Sequence, residues 1–460
     1  MFKGVVGLQK LNSGVWKSLP HIALALLVLS VPAYPVLSAR DLVAPPHFDQ
    51  ASWQQPVTGL QKVSKATTLN LNQAIERELA AGEEHHYQVS LRAGQYATIK
   101  VEQRGIDLKV LVQGLEGKIV DVIDGEYRKE GNEQVQLLAD VAGSYFMTVK
   151  SSSKIAPGGS YEIEVTEIRG ATTRDRSLHE AAQLEANSRT AFTAGKYEQG
   201  RNLAEKALAI YESILGNEHP ADARILLILA SSYYDDKQEF PKAISLLQRA
   251  VAICEKTLGH ENPRTIDGNR LLAYLYFETN EVAKAERLAQ GALEVSEQTF
   301  GPEHLFVARC LNTLAEITGD DKKAERLLRR ALAIAEKWLG SDDPFLVILL
   351  NEIGVFYLDR GDYERAESYI LRAKALREKV LGPENITQVV GLSNLGMLAR
   401  GKKEYAKAED YYSRAIAIVE KVFGPDNPRL AIILNNLANI YRARGEYEKS
   451  GRPPPRPAHL

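Results

Sequence analysis

The sequence predicts a multidomain fold, an N-terminal β-sandwich followed by an all-α solenoid of stacked helix pairs. Three observations predict it. A joint phrase recurs as Leu215-Gly216-Asn217-Glu218-His219-Pro220, Leu258-Gly259-His260-Glu261-Asn262-Pro263, Phe300-Gly301-Pro302-Glu303-His304, Leu339-Gly340-Ser341-Asp342-Asp343-Pro344, Leu381-Gly382-Pro383-Glu384-Asn385 and Phe423-Gly424-Pro425-Asp426-Asn427-Pro428. Its glycines stand 43, 42, 39, 42 and 42 residues apart, the period of a stacked repeat. Before these repeats, residues 67–168 alternate apolar and polar positions with the period of two that strands require.

The 460 residues have room for two or three domains, and the formal net charge of −2 with interspersed acids and bases offers no basic footprint for nucleic acid. The two cysteines, Cys254 and Cys310, form neither a disulfide framework nor a zinc site alone, and both fall in helical patterns as small buried hydrophobes.

At the N-terminus, Lys3, Lys10 and Lys17 precede an apolar run from Ile22 to Val31, then Pro32, Pro35 and small residues at Ser38-Ala39. That order predicts a signal peptide over 1–39, hence export to a periplasmic or extracellular location. An uncleaved anchor is the alternative, although the run is shorter than the roughly 20 residues of a spanning helix. After signal cleavage no membrane span is expected. No cysteine stands at the exit for lipid attachment. Residues 40–66, with Pro45-Pro46 and Pro56, read as a linker.

The β-sandwich is assigned to 67–170. Its strands are Tyr87–Leu91, Ala97–Val101, Leu108–Val112, Ile119–Ile123, Val135–Leu138, Tyr145–Val149 and Tyr161–Val165, divided by turn residues such as Ala93-Gly94-Gln95 and Pro157-Gly158-Gly159. Tyr87 to Leu91, Ala93-Gly94-Gln95, Asp107 with its following strand, Gly143-Ser144-Tyr145 and Ser160-Tyr161 together resemble the bacterial pre-peptidase C-terminal domain. That resemblance implies a jelly-roll-like accessory module without catalytic residues. Some relatives bind calcium, but Asp107, Asp121 and Asp124 read as turn and strand-end aspartates. His85-His86 read as solvated, because no further ligand stands at metal-binding spacing.

The array is assigned to 174–450, six helix pairs and an incomplete seventh. In the unit 343–382, Asp343 caps a first helix opening at Pro344, and Leu346, Leu349, Leu350, Ile353, Gly354 and Tyr357 follow at helical spacing. Gly361-Asp362-Tyr363 makes the turn. A second helix carries Ala366, Tyr369, Ile370, Ala373, Leu376 and Val380 and ends at Gly382, which accepts a left-handed conformation. Ala243, Ala285, Ala324, Ala366 and Ala408 hold one aligned place, where a methyl lets two helices cross closely. The unit between Gly301 and Gly340 is three residues short around Ile317–Asp320, so its first helix should end early. The unit after Gly216 has one extra residue near Lys237-Gln238-Glu239. The joint phrase and segments such as Leu434-Asn435-Asn436-Leu437-Ala438 resemble the tetratricopeptide repeat, in the long form of kinesin light chain.

That resemblance implies a superhelix whose first helices line a concave groove for a protein or peptide partner. One aligned column reads Arg270, Asn312, Asn351, Ser393, Asn435; the next reads Leu271, Thr313, Glu352, Asn394, Asn436. An asparagine offers both a donor and an acceptor to an extended backbone. The family's cargo-contacting role is carried over to Asn312, Asn351, Asn394, Asn435 and Asn436, with Arg270 at the head of the column breaking the pattern. The alternative is that these amides bond neighbouring helices and specify stacking.

No Gly-x-Ser-x-Gly, phosphate-cradling loop or His-Glu-x-x-His occurs. The reading is of no enzyme, no catalytic residues, no metal and no cofactor, with His219, His260 and His304 recurring as joint caps. The seventh unit reaches Tyr447-Glu448-Lys449 and then reads Ser450-Gly451-Arg452-Pro453-Pro454-Pro455, which cannot continue a helix. The Pro-rich tail 451–460 is therefore read as a premature end, leaving the last first helix uncovered. Exported proteins with this pair of modules resemble those ending in a caspase-like CHAT domain. The primary expectation is an exported interaction scaffold. The alternatives are the regulatory arm of a CHAT protease and an envelope scaffold that self-associates through its uncapped end.

Overall fold

A computed structural model describes residues 66–446, apart from 81, 115–118, 124–129, 152–157, 194–195, 234–238, 340–342, 382–387 and 426–428. The signal segment, nearly all of the linker, Asp124, Lys237 with Gln238, Gly382 and the Pro-rich tail lie outside the described residues.

The described residues first form strands β1 (Thr67–Thr68), β2 (Ile75–Leu79), β3 (Glu84–Leu91), β4 (Gln95–Arg104), β5 (Leu108–Gln113), β6 (Ile119–Ile123), β7 (Glu130–Leu138), β8 (Gly143–Ser151) and β9 (Gly159–Gly170). They make two sheets, ordered β1-β3-β8-β5-β6 and β2-β9-β4-β7. Only β1 against β3 is parallel among these pairings. Alternate residues of both sheets, Tyr87 and Val89, Met147 and Val149, Ile99 and Val101, Tyr161 and Ile163, meet in one core. The period of two puts every second side chain there. β2 escapes sequence reasoning because Glu76, Arg77 and Glu78 fill its middle; it is an edge strand, paired only with β9.

The two histidines correct the expectation of solvation. His85 Nδ1 lies 2.7 Å from the Tyr161 hydroxyl, which meets the Tyr87 hydroxyl at 2.5 Å, and His86 Nδ1 lies 3.0 Å from Thr148 Oγ1. Burial pushes both tyrosine hydroxyls above their ordinary range.

Helices follow as α1 (Thr173–Thr193), α2 (Tyr197–Leu215), α3 (Pro220–Ser231), α4 (Phe240–Leu258), α5 (Pro263–Glu278), α6 (Val282–Phe300), α7 (Leu305–Ile317), α8 (Asp321–Trp338), α9 (Pro344–Asp359), α10 (Tyr363–Leu381), α11 (Gln388–Gly401), α12 (Tyr405–Phe423) and α13 (Arg429–Ala443). Only Ala171 and Thr172 separate β9 from α1. The Asp175 carboxylate accepts from the Thr172 backbone N–H at 2.7 Å while Thr172 Oγ1 accepts from the Asp175 N–H at 3.2 Å, a reciprocal cap. Arg169 clasps the same carboxylate from β9 and holds it well below the usual range.

Each odd-numbered helix up to α11 packs antiparallel on the even-numbered one after it. Successive first helices also touch, α5 with α7, α9 with α11 and α11 with α13, whereas no comparable contact joins successive second helices among the described residues. The first helices are thus the inner layer of the stack. Second helices are bridged by side-chain ion pairs, such as Arg249 with Glu212, Arg330 with Glu297 and Arg372 with Glu336.

The aligned alanines 243, 285, 324, 366 and 408 are all buried. Helix α7 has 13 residues against 16 in α5 and in α9, so the short unit does end its first helix early. Asp343 accepts from the Phe345 N–H at 2.8 Å and Asn262 from the Arg264 N–H at 3.0 Å, the expected caps. His219 and His304 cap through Nδ1, but His260 is exposed two residues before the cap Asn262, a correction to its expected role. It stands where Asn217 does in the preceding joint, not where His219 does.

The joint glycines demand more than the left-handed conformation expected of them. Gly216, Gly259, Gly301 and Gly424 have φ of 83° to 87° with ψ of 159° to 168°, a region essentially reserved for glycine. Gly259→Ala, with open space around its Cβ, should therefore cost about 1–3 kcal/mol of unfolding free energy in urea titration, from backbone strain alone.

Candidate peptide-binding groove

The first helices bring the predicted columns onto the inner layer. Arg270, Asn312, Asn351, Ser393 and Asn394 are buried, Asn436 is half-buried and Asn435 is exposed on α13. Bonds run diagonally from one column to the other across neighbouring units. Arg270 Nη1 donates to Thr313 Oγ1 at 3.0 Å, and Asn394 Nδ2 donates to Asn351 Oδ1 at 3.5 Å. Asn312 instead donates within its own helix, to Glu316 Oε1 at 3.0 Å. Among the described residues, buried polar atoms here without a hydrogen-bond partner include Asn312 Oδ1, Asn351 Nδ2, Ser393 Oγ and Asn394 Oδ1. A buried polar atom left so costs about 1–3 kcal/mol, so such atoms need an explanation.

A further column, three residues earlier on the same helix faces, escaped sequence reasoning. It reads Arg224, Asp267, Arg309, Ile348, Val390, Ile432. Counting back one helical turn from the asparagine column finds it. Its first half is charged and interlinked. Arg270 Nε donates to Asp267 Oδ1 at 3.2 Å, and Arg309 Nη1 stands 4.0 Å from Asp267 Oδ2. Arg224 grips the buried Glu185 of α1 with two bonds of 2.7 Å. Burial alone would raise the Glu185 carboxyl, but Arg224 and Arg189 outweigh it and hold it below its usual range. After the shortened α7 the column turns aliphatic. Ile348 and Val390 are buried, and Ile432 is 42% exposed. The column four residues after the asparagines reads Tyr274, Glu316, Val355, Met397 and Asn439, apolar only in its later middle.

The cysteines are free and buried, and burial pushes their thiols up to about 11 for Cys254 and about 12 for Cys310, the reverse of what a nucleophile needs. Among the described residues no group of His, Cys, Asp and Glu could hold a metal ion, and no helix is long and apolar enough to cross a membrane.

Two models of the tetratricopeptide repeat match this chain, one over residues 180–256, 264–337 and 387–450 and the other over 348–386, together more than half of its length. No curated protein matches it in sequence. Among solved structures, it is similar to the TPR-like repeats of a Podosopora anserina kinesin light chain, at 25% identity over 45% of this chain and 99% of that one, with a TM-score of 0.35. A Rap protein complexed with competence and sporulation factor shares 19% identity over 59% and 77% of the two chains, with a TM-score of 0.40. The pre-peptidase C-terminal domain of a Bacillus anthracis collagenase shares 18% identity over 22% and 95%, with a TM-score of 0.20.

Proposed function

Because this chain belongs to the tetratricopeptide repeat family, we propose that its helical array is a protein-interaction scaffold that holds an extended peptide along the inner layer of first helices. The observation that carries this reading is the Asn351–Asn394 pair. Their mutual bond is long, at 3.5 Å, and leaves Asn351 Nδ2 without an acceptor and Asn394 Oδ1 without a donor. One peptide group supplies both, a C=O for the first and an N–H for the second. A bond at the limit of useful length costs little to give up, so both carboxamides can turn to a ligand. Asn312, Asn435 and Asn436 extend the row of amides on either side, and Arg270 closes it with a side chain already engaged to Thr313 and Asp267. In this reading the protein is not an enzyme. The lysine-flanked apolar run Ile22–Val31 supports export, and the alternating strands support a jelly-roll-like, pre-peptidase C-terminal-like accessory module ahead of the array.

A peptide-library pull-down with the full chain tests the groove. Peptides retained by the wild type should bind about 5- to 100-fold more weakly to the Asn351→Ala/Asn394→Ala variant, the loss of two hydrogen bonds. Equal retention by wild type and variant, with unchanged circular dichroism melting, would reject this site.

A further inference from the structure

The β module and the array are joined by two residues, Ala171 and Thr172, between β9 and α1. Among the described residues the hydrophobic cores of the two share no side chain. Modules that meet over a small polar interface ordinarily move against each other, on the two soft dihedrals that each linker residue keeps. Here both linker residues are tied. The Ala171 N–H donates to the Gly94 carbonyl at 2.8 Å, one step past the last β4–β9 pair, Gln95 with Gly170. The Thr172 N–H and hydroxyl both donate to Asp175 Oδ2, at 2.7 and 2.6 Å.

The ties meet at Asp175, which is 8% exposed. Arg169 of β9 reaches its carboxylate with both Nη1 and Nη2, the latter at 3.0 Å. Such a fork fixes orientation as well as distance. Arg169 is itself held, its guanidinium 4.5 Å from the centre of the Tyr96 ring on β4 and its Nε donating to Glu167 Oε1 at 3.0 Å. One carboxylate therefore caps α1 and anchors it to a strand. Contacts away from this point brace it. A Cβ on Gly94 would lie 3.5 Å from Arg176 Nη2. One turn along α1 from Asp175, His179 Nε2 stands 4.0 Å from Asp140 Oδ2, in the segment between β7 and β8. Attachments spread over a helical turn resist the rotation that a single pivot would allow.

We propose that the Arg169–Asp175–Thr172 clasp is a lock that makes the β module and the first helix pair one rigid body, so that a partner bound on either module meets the other at a fixed place. This stands independently of the peptide groove. Pulsed electron–electron distance measurement on the full chain, with spin labels at Ser90→Cys of β3 and Lys206→Cys of α2, tests it. Both positions are exposed, while Cys254 and Cys310 are buried away from the label. The wild type should give a single narrow distance distribution. Arg169→Met cuts β9 from the carboxylate and leaves the Thr172–Asp175 cap in place. It should widen the distribution about twofold or more, as the linker dihedrals come free. Arg169→Lys, one donor in place of a fork, should restore the narrow distribution only in part. Asp175→Ala should widen it at least as much as Arg169→Met, which decides alone if Asp175→Ala does not fold. A broad distribution in the wild type, or a narrow one in Arg169→Met, overturns the lock. So does broadening that comes only with loss of helical circular dichroism, since it would assign the contact to helix formation.

Discussion

Glu185→Ala is expected to remove about 3 kcal/mol of stability, read as a lower urea midpoint at unchanged slope. The carboxylate is buried in α1 and receives two bonds of 2.7 Å from Arg224 of α3, with Arg189 and the Tyr211 hydroxyl beside it. It ties the first helix pair to the second. Removing it takes a buried carboxylate from two guanidinium groups, and breaking a buried pair costs about 3–5 kcal/mol. The low end applies because the side chains of Arg189 and Arg224 keep 25% and 33% of their exposure and can rehydrate. The pH dependence has a definite sign. The Glu185 carboxyl is held below its ordinary range in the folded protein, so its contribution is full above that range and is lost as pH falls through the folded value. Glu185→Gln should lack this component of acid destabilisation. A cost below about 1 kcal/mol for the alanine variant would show that the network does not hold the first two pairs together.

The second large effect is expected at Gly396. A methyl there would meet Tyr412 at 2.7 Å from both Cε1 and Cζ, and Tyr412 is completely buried with no room to retreat. Overpacking of this kind costs about 1–3 kcal/mol, so Gly396→Ala should destabilise despite the ~1 kcal/mol that alanine gains over glycine inside a helix. Tyr412 is the largest residue of its column, which otherwise reads Ala204, Leu247, Ala289, Leu328 and Ile370. Tyr412→Leu should therefore rescue Gly396→Ala, giving a coupling energy of about 1–2 kcal/mol in a double-mutant cycle. Gly291 in α6 has open space around it, so Gly291→Ala should stabilise by about 0.5–1 kcal/mol. Additive effects at 396 and 412 would mean that the two residues do not share one packing site.

Much of the fold was legible because it is written in local pattern. The joint phrase marked where each helix stops, since only glycine accepts the backbone found at Gly259 and Gly301. Asn262 and Asp343 announced helix starts because a cap bonds to a backbone group two residues away. β2 was hidden because its edge position let charged residues occupy its centre. The groove was half legible. The asparagine columns could be aligned from the repeat, but nothing local says that Asn394 meets Asn351 while Asn312 turns back to Glu316. The place of Arg377 was equally silent, since an arginine on a helix ordinarily points to water.

By itself the sequence determined the two modules, the period of the array, the caps at Asn262 and Asp343 and the shortened seventh helix. Apart from the period itself, which repeats about every 42 residues, these depend on residues within one helical turn or one strand of each other. Tertiary structure alone decided which amides pair across units, that Glu185 of α1 closes the charged end of the inner column, and that the Arg377 side chain of α10 is buried against Gly391 of α11. Those outcomes turn on residues from fourteen to some forty positions apart in sequence being pressed into contact, where the neighbour's size and charge, and not the residue's own preference, set burial and partner.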